Sequence, residues 1–262
     1  METKFTKYQL PLFFLLSYLL SWWAILPVHG LLPHGVAIAA AIVIALTLGR
    51  TGLREWWGRL TNFRAGWLFL AGPAIVAGYI LVAYVVNLLL GATVVNPPRF
   101  PSVMAVGELL LLGGMWEELG WSGYALPTLQ KRFAKNPNGA LIATLILWIF
   151  RGIWHLPLIF WARWPIPWYD AALYSSLAMQ VIISWLYNKS GGSVPAVMLY
   201  HLMSNILFRV MSPVFAGPDA TMYGILSYAF AILIALALAW SSKFKLGWRD
   251  TEKISLSATG VA

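Results

Sequence analysis

Apolar segments of about twenty residues recur along the whole chain, and few folds can accommodate that pattern. Only 10% of the 262 residues are charged, whereas soluble domains carry about 25%. A helix of this length crosses a bilayer, and the segments do not alternate in polarity as the strands of a membrane barrel would. The sequence therefore predicts an all-α fold, a polytopic transmembrane helical bundle forming one membrane domain.

Eight spans account for the apolar segments, and we place them at residues 8–28, 32–49, 67–90, 103–126, 139–161, 169–188, 193–213 and 221–240. We divide the chain into spans 1–3 (residues 1–100), a core of spans 4–7 (101–215), and a last span with a cytoplasmic tail (216–262).

The cations are distributed unequally between the two sides of this arrangement. The loops on one side hold Lys4, Lys7, Arg50, Arg54, Arg59, Arg64, Lys131, Arg132, Lys135, Lys189, Lys243, Lys245, Arg249 and Lys253. The other side holds only Arg99, Arg163 and Arg209. Because cytoplasmic loops carry the excess of Lys and Arg, both termini are predicted to be cytoplasmic.

The composition also excludes several kinds of functional site. The chain has no cysteine, which excludes disulfides, thiolate metal sites and a cysteine nucleophile. A net charge of +9 can indicate nucleic-acid binding, but these charges lie in short loops between spans, as membrane topology requires. The loop 50–66 mixes cations with tryptophans, and we expect a short helix at the lipid headgroups rather than a nucleic-acid site.

Two adjacent carboxylates, Glu117 and Glu118, interrupt the predicted span 103–126. A carboxylate in the hydrocarbon layer costs at least about 2.5–3.5 kcal/mol, so a pair there is a functional-site hypothesis. Glu108 lies nine residues before Glu117, about 180° away around a helix. We therefore expect a structural or rim role for Glu108.

Polar residues of two later spans are the candidate partners of this pair. Arg151 and His155 are four residues apart, and so are His201 and Asn205. Residues at this spacing share a helix face. A carboxylate, two imidazoles and an amide facing a dry bundle interior can form a hydrolytic site, with Glu as the general base for a water. Each histidine alone also suits an interhelical hydrogen bond, and a proton or ion relay is the alternative on physical grounds.

Three motifs resemble those of the CPBP family, which includes type II CAAX prenyl proteases and bacteriocin-processing or abortive-infection membrane proteins. The first family motif, Glu-Glu-x3-Arg with following aromatic, Pro and Leu-Gln positions, corresponds to residues 117–130. The second, Phe-x3-His, corresponds to residues 151–155, and the third, His-x3-Asn/Asp, to residues 201–205. The resemblance covers residues 103–213.

Two positions depart from the family pattern. The motif arginine is Ser122 here, and the aromatic residue of the second motif is Arg151. Family members that have lost motif residues act as regulators or scaffolds, so loss of peptidase activity is one interpretation. The other interpretation is that the motif arginine has moved from position 122 to position 151. If Glu118 is level with His155 in two antiparallel spans, Ser122 is level with Arg151 one turn further along. We therefore predict a buried ion pair between Arg151 and Glu118.

The resemblance implies an intramembrane endopeptidase. Its implied catalytic residues are Glu117, Glu118, His155, His201 and Asn205, with Arg151 and Ser122 in support. Glu117 and His155 would activate the water, and His201 and Asn205 would stabilise the oxyanion. Zinc takes three protein ligands and keeps one open position, and Glu117, His155 and His201 can supply them. We favour a water held without metal, because candidate ligands are few and Asn205 is a poor zinc ligand.

The implied partners are the lipid bilayer and a peptide or membrane-protein substrate, and the implied location is a prokaryotic cell membrane. A prenylated C-terminal peptide, a leader peptide and a membrane-protein segment are all open as substrates. A non-catalytic immunity or scaffold membrane protein of the same fold is the alternative. A proton-coupled transporter would instead show internal repeats with interrupted helices at corresponding positions, and we find no such repeat.

Overall fold

The structure is a computed structural model that describes residues 6–161 and 174–248. Within these ranges all regular structure is helical. The longer helices are α1 (Gln9–Trp22), α2 (His34–Thr47), α3 (Gly49–Leu60), α4 (Leu68–Leu89), α5 (Val103–Leu112), α6 (Gly139–Phe160), α7 (Tyr174–Lys189), α8 (Val194–Met211) and α9 (Gly217–Ser241). Lys4, Arg163, Arg249 and Lys253, and the start of the predicted span 169–188, lie outside the described residues.

Five helical stretches in the described part are long and apolar enough to cross a membrane: Gln9–Val28, Leu68–Leu89, Gly139–Phe160, Val194–Met211 and Gly217–Ser241. Helix α2 is apolar but shorter, at 14 residues. Helix α4 shows why lipid is needed, since it exposes Leu70, Leu81 and Leu89 on its outer side, and apolar patches of this extent are unusual in soluble monomers. The predicted helical membrane bundle is confirmed, while the count of eight spans and the cytoplasmic termini stay predictions.

The predicted span 103–126 is wrong as one continuous helix. Helix α5 ends at Leu112, and Gly113 adopts an extended conformation with ψ of 160°. Helical structure resumes at once in a segment that we call the site segment, residues 114–132. It comprises a 3-10 helix (Gly114–Glu117), one α turn (Glu118–Gly120), a π-helix (Trp121–Ala125) and a final α-helix (Leu126–Arg132).

Two glycines explain this break. A Cβ atom on Gly113 would lie 2.1 Å from the carbonyl oxygen of Leu109, and one on Gly114 would lie 2.7 Å from Nε2 of His201. Only residues without a side chain permit these approaches. The apolar pattern of the span hides the break, because hydropathy does not report backbone conformation.

The loops predicted to share one side of the membrane do meet. Asn62 donates a hydrogen bond to the carbonyl of Gly191 (3.0 Å), and its own carbonyl accepts one from Ser193 (2.6 Å). At the opposite end, the amide of Thr93 donates to the carboxylate of Asp219 (2.8 Å). The grouping of these loops agrees with the charge pattern, and the side of the membrane that each end faces stays a prediction.

Reporter fusions test that orientation. A reporter after Arg59 should report the cytoplasm and one after Pro97 the opposite side, because the cation-rich loops are retained inside. A fusion in the loop near residue 190 is the control, since it contacts Asn62 and should agree with Arg59. The same side for Arg59 and Pro97 would contradict the predicted topology.

Helix α1 encloses the site segment with aromatic side chains. Phe13 lies edge-on to Trp121, with ring centroids 5.4 Å apart, and Phe14 stacks on Phe150 of α6 at 4.0 Å. The hydroxyl of Tyr18 donates to the carbonyl of Phe150 (2.8 Å). These contacts pack an aromatic face of α1 against the site segment and α6.

Candidate active site

Four ionisable residues of three different elements meet in the interior of the bundle. Glu117 and Glu118 are 5% and 0% exposed, and Arg151 of α6 and His201 of α8 are each 6% exposed. Glu117 ends the 3-10 helix of the site segment and Glu118 begins the next turn. Buried charges are tolerated only when they are paired and hydrogen-bonded, so the contacts among these groups determine their chemistry.

Arg151 forms the ion pair that the sequence predicts. Its Nη2 lies 2.6 Å from Oε1 of Glu118 and 3.3 Å from Oε2 of Glu117. The hydroxyl of Ser122 donates to Oε2 of Glu118. Position 122, which holds arginine in the family motif, and Arg151 thus contact the same carboxylate from two helices. The predicted buried pair of Arg151 and Glu118 is confirmed.

The contact with Glu118 decides which nitrogen of His201 carries a hydrogen. Nδ1 of His201 lies 2.8 Å from Oε1 of Glu118. A carboxylate paired with arginine only accepts hydrogen bonds, so Nδ1 carries the hydrogen. Nη2 of Arg151 is 3.3 Å from the same Nδ1, but two N–H groups cannot bond to each other. In the neutral ring, Nε2 of His201 is therefore an acceptor.

This acceptor nitrogen and Glu117 approach the same point. A Cβ atom on Gly114 would lie 2.7 Å from Nε2 of His201 and 2.9 Å from Oε1 of Glu117. The two atoms are therefore close enough for one water molecule to contact both. Gly114 leaves room for them, and we infer that the sequence places glycine there for this reason.

His155 and Asn205 lie at the edge of this cluster. Nδ1 of His155 lies 2.8 Å from the carbonyl of Arg151, and because a carbonyl only accepts, Nδ1 donates there and Nε2 is the acceptor of the neutral ring. His155 is half-buried and within Coulombic range of Glu117. Asn205 lies one turn after His201, half-buried, and its side chain makes no hydrogen bond with the part of the chain that the structure describes. The structure thus joins five predicted residues directly (Glu117, Glu118, Ser122, Arg151 and His201).

Gln180 of α7 is a site residue that the sequence analysis missed. It is 1% exposed, and its Oε1 accepts from Nη1 of Arg151 at 3.4 Å. Its amide nitrogen must then face Ser184, to which it donates at 3.4 Å. Gln180 and Ser184 are four residues apart within residues 177–187, which are otherwise apolar, and that spacing was the signal available in the sequence.

A chain of hydrogen bonds continues from Gln180. The hydroxyls of Ser184 and Thr144 are 2.9 Å apart, and Thr144 also lies 2.8 Å from the carbonyl of Ala140. Thr144 has one hydroxyl hydrogen, which the carbonyl accepts, so Ser184 donates to Thr144. The side chains of Gln180, Ser184 and Thr144 therefore form a continuous chain of hydrogen bonds between Arg151 and the carbonyl of Ala140. This relay (Gln180, Ser184, Thr144) fixes the guanidinium beside the carboxylates.

Replacing Gln180 by leucine should lower the stability of the protein. The change leaves an N–H of the buried Arg151 without an acceptor, which costs about 1–3 kcal/mol. Gln130→Leu is the matched control, because Gln130 is 2% exposed and its amide nitrogen has no partner among the described residues. Thermal unfolding in detergent should show a clearly larger loss for Gln180→Leu. Equal losses would contradict a specific role for the relay.

The described residues do not assemble a metal site. Among residues 6–161 and 174–248 no three His, Asp or Glu side chains are arranged to hold a metal ion. Glu118 already accepts from Arg151, Ser122 and His201. No group of three candidate ligands that includes Glu117, His155 and His201 is found among the described residues, so we derive no step through a metal, and zinc binding by these residues stays a prediction.

Glu108 lies apart from this cluster. Its carboxylate is 3.5 Å from Nη1 of Arg209 on α8, and both side chains are more than 40% exposed, at 57% and 43%. The rim role predicted for Glu108 agrees with this contact. The helical angle used to predict it does not apply, because the helix is interrupted at Gly113.

Comparison with known proteins points to the same region. A family model described as Type II CAAX prenyl endopeptidase Rce1-like matches residues 98–207, which contain the site segment, Arg151, Gln180 and His201. CAAX prenyl protease 2 of Methanococcus maripaludis is 35% identical over 106 residues, and the aligned region covers 37% of this chain and 37% of that protein. The three motifs and the buried cluster lie within the region of the family match, so residues 98–207 of this chain are similar to the type II CAAX prenyl endopeptidases of the CPBP family.

Proposed function

We propose that this protein is an intramembrane endopeptidase that hydrolyses a peptide bond of a prenylated or otherwise membrane-associated peptide. The observation that carries the proposal is the approach of Oε1 of Glu117 and Nε2 of His201 to one point beside Gly114. The fit of residues 98–207 to a CAAX prenyl endopeptidase model supports the same reaction class. The identity of the peptide is open among prenylated C-termini, leader peptides and membrane-protein segments.

In the proposed reaction, Glu117 takes one proton of a water whose other hydrogen bonds to Nε2 of His201. The water oxygen attacks the scissile carbonyl carbon, the C–N bond breaks, and Glu117 returns its proton to the leaving amine. Glu118 does not act as a base here, because Arg151, Ser122 and His201 already bind it.

This proposal changes the role of His201 from the one implied by the resemblance. A neutral His201 with its hydrogen on Nδ1 has no N–H to offer an oxyanion from Nε2. We therefore assign His201 to the water and leave the amide of Asn205 as the candidate oxyanion donor, since it has no other partner among the described residues. His155, within Coulombic range of Glu117, is assigned to the leaving-group side.

Hydrolysis in heavy-oxygen water tests the proposal. The purified protein in lipid nanodiscs is incubated with a farnesylated C-terminal peptide, its unprenylated form and a leader peptide. Mass spectrometry should find one product pair whose new carboxylate carries one heavy oxygen atom. Glu117→Gln serves as the inactive control. No cleavage of any peptide by folded protein would favour the alternative, a non-catalytic scaffold of the same fold.

We also propose that the water is held without a metal. Purified, active protein should contain far less than about one zinc per chain, and activity should survive chelation. Elemental analysis of the preparation used for the activity assay makes this measurement. About one equivalent of zinc per chain, lost together with activity on chelation, would contradict the metal-free site.

A further inference from the structure

Helix α3 holds the site segment through its inner face. Nε1 of Trp56 donates to the carbonyl of Leu119, and Nε of Arg59 donates to the carbonyl of Gly123, both at 2.9 Å. The carbonyl of Leu119 lies just before the π-helix Trp121–Ala125, and the carbonyl of Gly123 lies within it. A π-helix departs from the regular i to i−4 hydrogen-bond pattern and is frequent at functional sites. Two side-chain donors of α3 therefore fix the turn that follows Glu117 and Glu118.

The outer face of α3 has a different composition. Arg50, Arg54 and Trp57 are exposed and follow the spacing i, i+4, i+7, which places them in one stripe. We call these three residues the Arg/Trp stripe. Guanidinium groups bind phosphate in a two-pronged geometry, and indole rings lie at the level of lipid headgroups.

Anionic phospholipid is the occupant that fits this stripe. Phe63 and Trp67, just beyond α3, are 68% and 71% exposed and extend the interfacial aromatic surface. The carbonyl of Asn62 accepts from Ser193, so α3 ends among the cation-rich loops. Arginines close to an anionic membrane surface are attracted to it electrostatically.

We propose that α3 binds anionic phospholipid headgroups through the Arg/Trp stripe and thereby holds the site segment in place through Trp56 and Arg59. The stripe and the two donors lie on opposite faces of one rigid helix, so a change in its depth moves both hydrogen bonds together. The order of the carboxylate-bearing turn then depends on headgroup charge. This inference concerns position and order, and it does not require that the proposed hydrolysis occurs.

Hydrogen exchange tests the coupling. The full chain is placed in nanodiscs of phosphatidylcholine with or without phosphatidylglycerol, and amide exchange of residues 118–125 is measured. The anionic lipid should slow this exchange about twofold to tenfold for each hydrogen bond it secures. Arg50→Gln with Arg54→Gln should remove the effect, and added salt should weaken it. Lys243→Gln with Lys245→Gln is the matched control, because it removes two exposed cations that belong to neither α3 nor the site segment.

A second set of variants separates lipid binding by α3 from the effect of that binding on the site segment. Trp56→Phe with Arg59→Met removes both donors and leaves the stripe, so the lipid effect on exchange should vanish. A probe at Gly58→Cys should still report contact with the anionic lipid. The chain has no native cysteine, and a Cβ atom at Gly58 meets no atom within 4 Å.

Three results would overturn the proposal. One is equal exchange of residues 118–125 in the two lipids for the unmodified chain. Another is a probe at position 58 that does not distinguish them, which would leave the stripe to another occupant such as a protein partner. The third is a lipid effect that survives in the Arg50 and Arg54 variant, or that the Lys243 and Lys245 control loses to the same extent.

Discussion

Arg151→Phe is expected to destabilise the protein severely, and addition of Ser122→Arg is expected to restore most of the loss. The single change leaves the fully buried Glu118 with hydrogen bonds from His201 and Ser122 but without a cation. Breaking a buried pair by removing one partner costs about 3–5 kcal/mol. An arginine at position 122 lies one turn from Glu118 on the same helical segment, where side chains four residues apart meet. The double variant therefore rebuilds the family arrangement, with phenylalanine at 151 and arginine at 122.

The measurement is thermal unfolding of the three proteins in one detergent, together with activity on any substrate found. Arg209→Phe is the control, because Arg209 pairs with Glu108 at 3.5 Å in an exposed position. Exposed pairs contribute at most about 1 kcal/mol, so this variant should unfold close to the unmodified protein. A double variant no more stable than Arg151→Phe alone would show that the two arginine positions are not equivalent.

Glu117→Gln is expected to lower the rate of peptide hydrolysis by about 10²–10⁴-fold, the range for loss of a general base. Glutamine has nearly the same shape but cannot take a proton from water. Stability should change little, because the longer contact of Arg151, 3.3 Å, is to Glu117 and the shorter one, 2.6 Å, is to Glu118. The rate is measured on reconstituted protein by mass spectrometry.

Two further variants separate catalysis from folding. Glu108→Gln removes an exposed carboxylate outside the cluster and should keep the rate. Glu118→Gln should reduce both rate and unfolding temperature, because it weakens the acceptor shared by Arg151, Ser122 and His201. Hydrolysis at the unmodified rate by Glu117→Gln would remove this residue as the base and favour the scaffold interpretation.

Much of the architecture follows from local sequence. Apolar runs such as residues 68–89 predict membrane helices, because each backbone polar group in lipid must be paired within its own segment. The cations at Arg59 and Lys189 predict which loops share an end, and the contacts of Asn62 with Gly191 agree. The pairing of Arg151 with Glu118 was also predictable, because a charge that arginine cannot shed requires a partner in a dry interior.

Other features of the site depend on contacts between distant segments. The break at Gly113 and Gly114 leaves space for the ring of His201, which lies almost ninety residues later in the chain. No local sequence pattern contains that information. In the sequence, Gln180 is one polar residue of a membrane span. Its role is visible only in the structure, where α7 packs beside Arg151. The position of the proton on His201 also depends on a distant residue, because Glu118 determines which ring nitrogen carries it. Trp56 and Arg59 likewise find their hydrogen-bond acceptors in the site segment, far along the chain.

Local sequence thus predicted the helical membrane fold, the grouping of loops at each end of the bundle and the residue types of the site. Only the tertiary structure decided which atoms of Glu117 and His201 meet, which nitrogen carries the proton, and which helix supports the carboxylates. The physical reason is range: hydrophobic periodicity and charge bias act within one segment, whereas hydrogen bonds between buried groups are specified by whichever segments the bundle brings together.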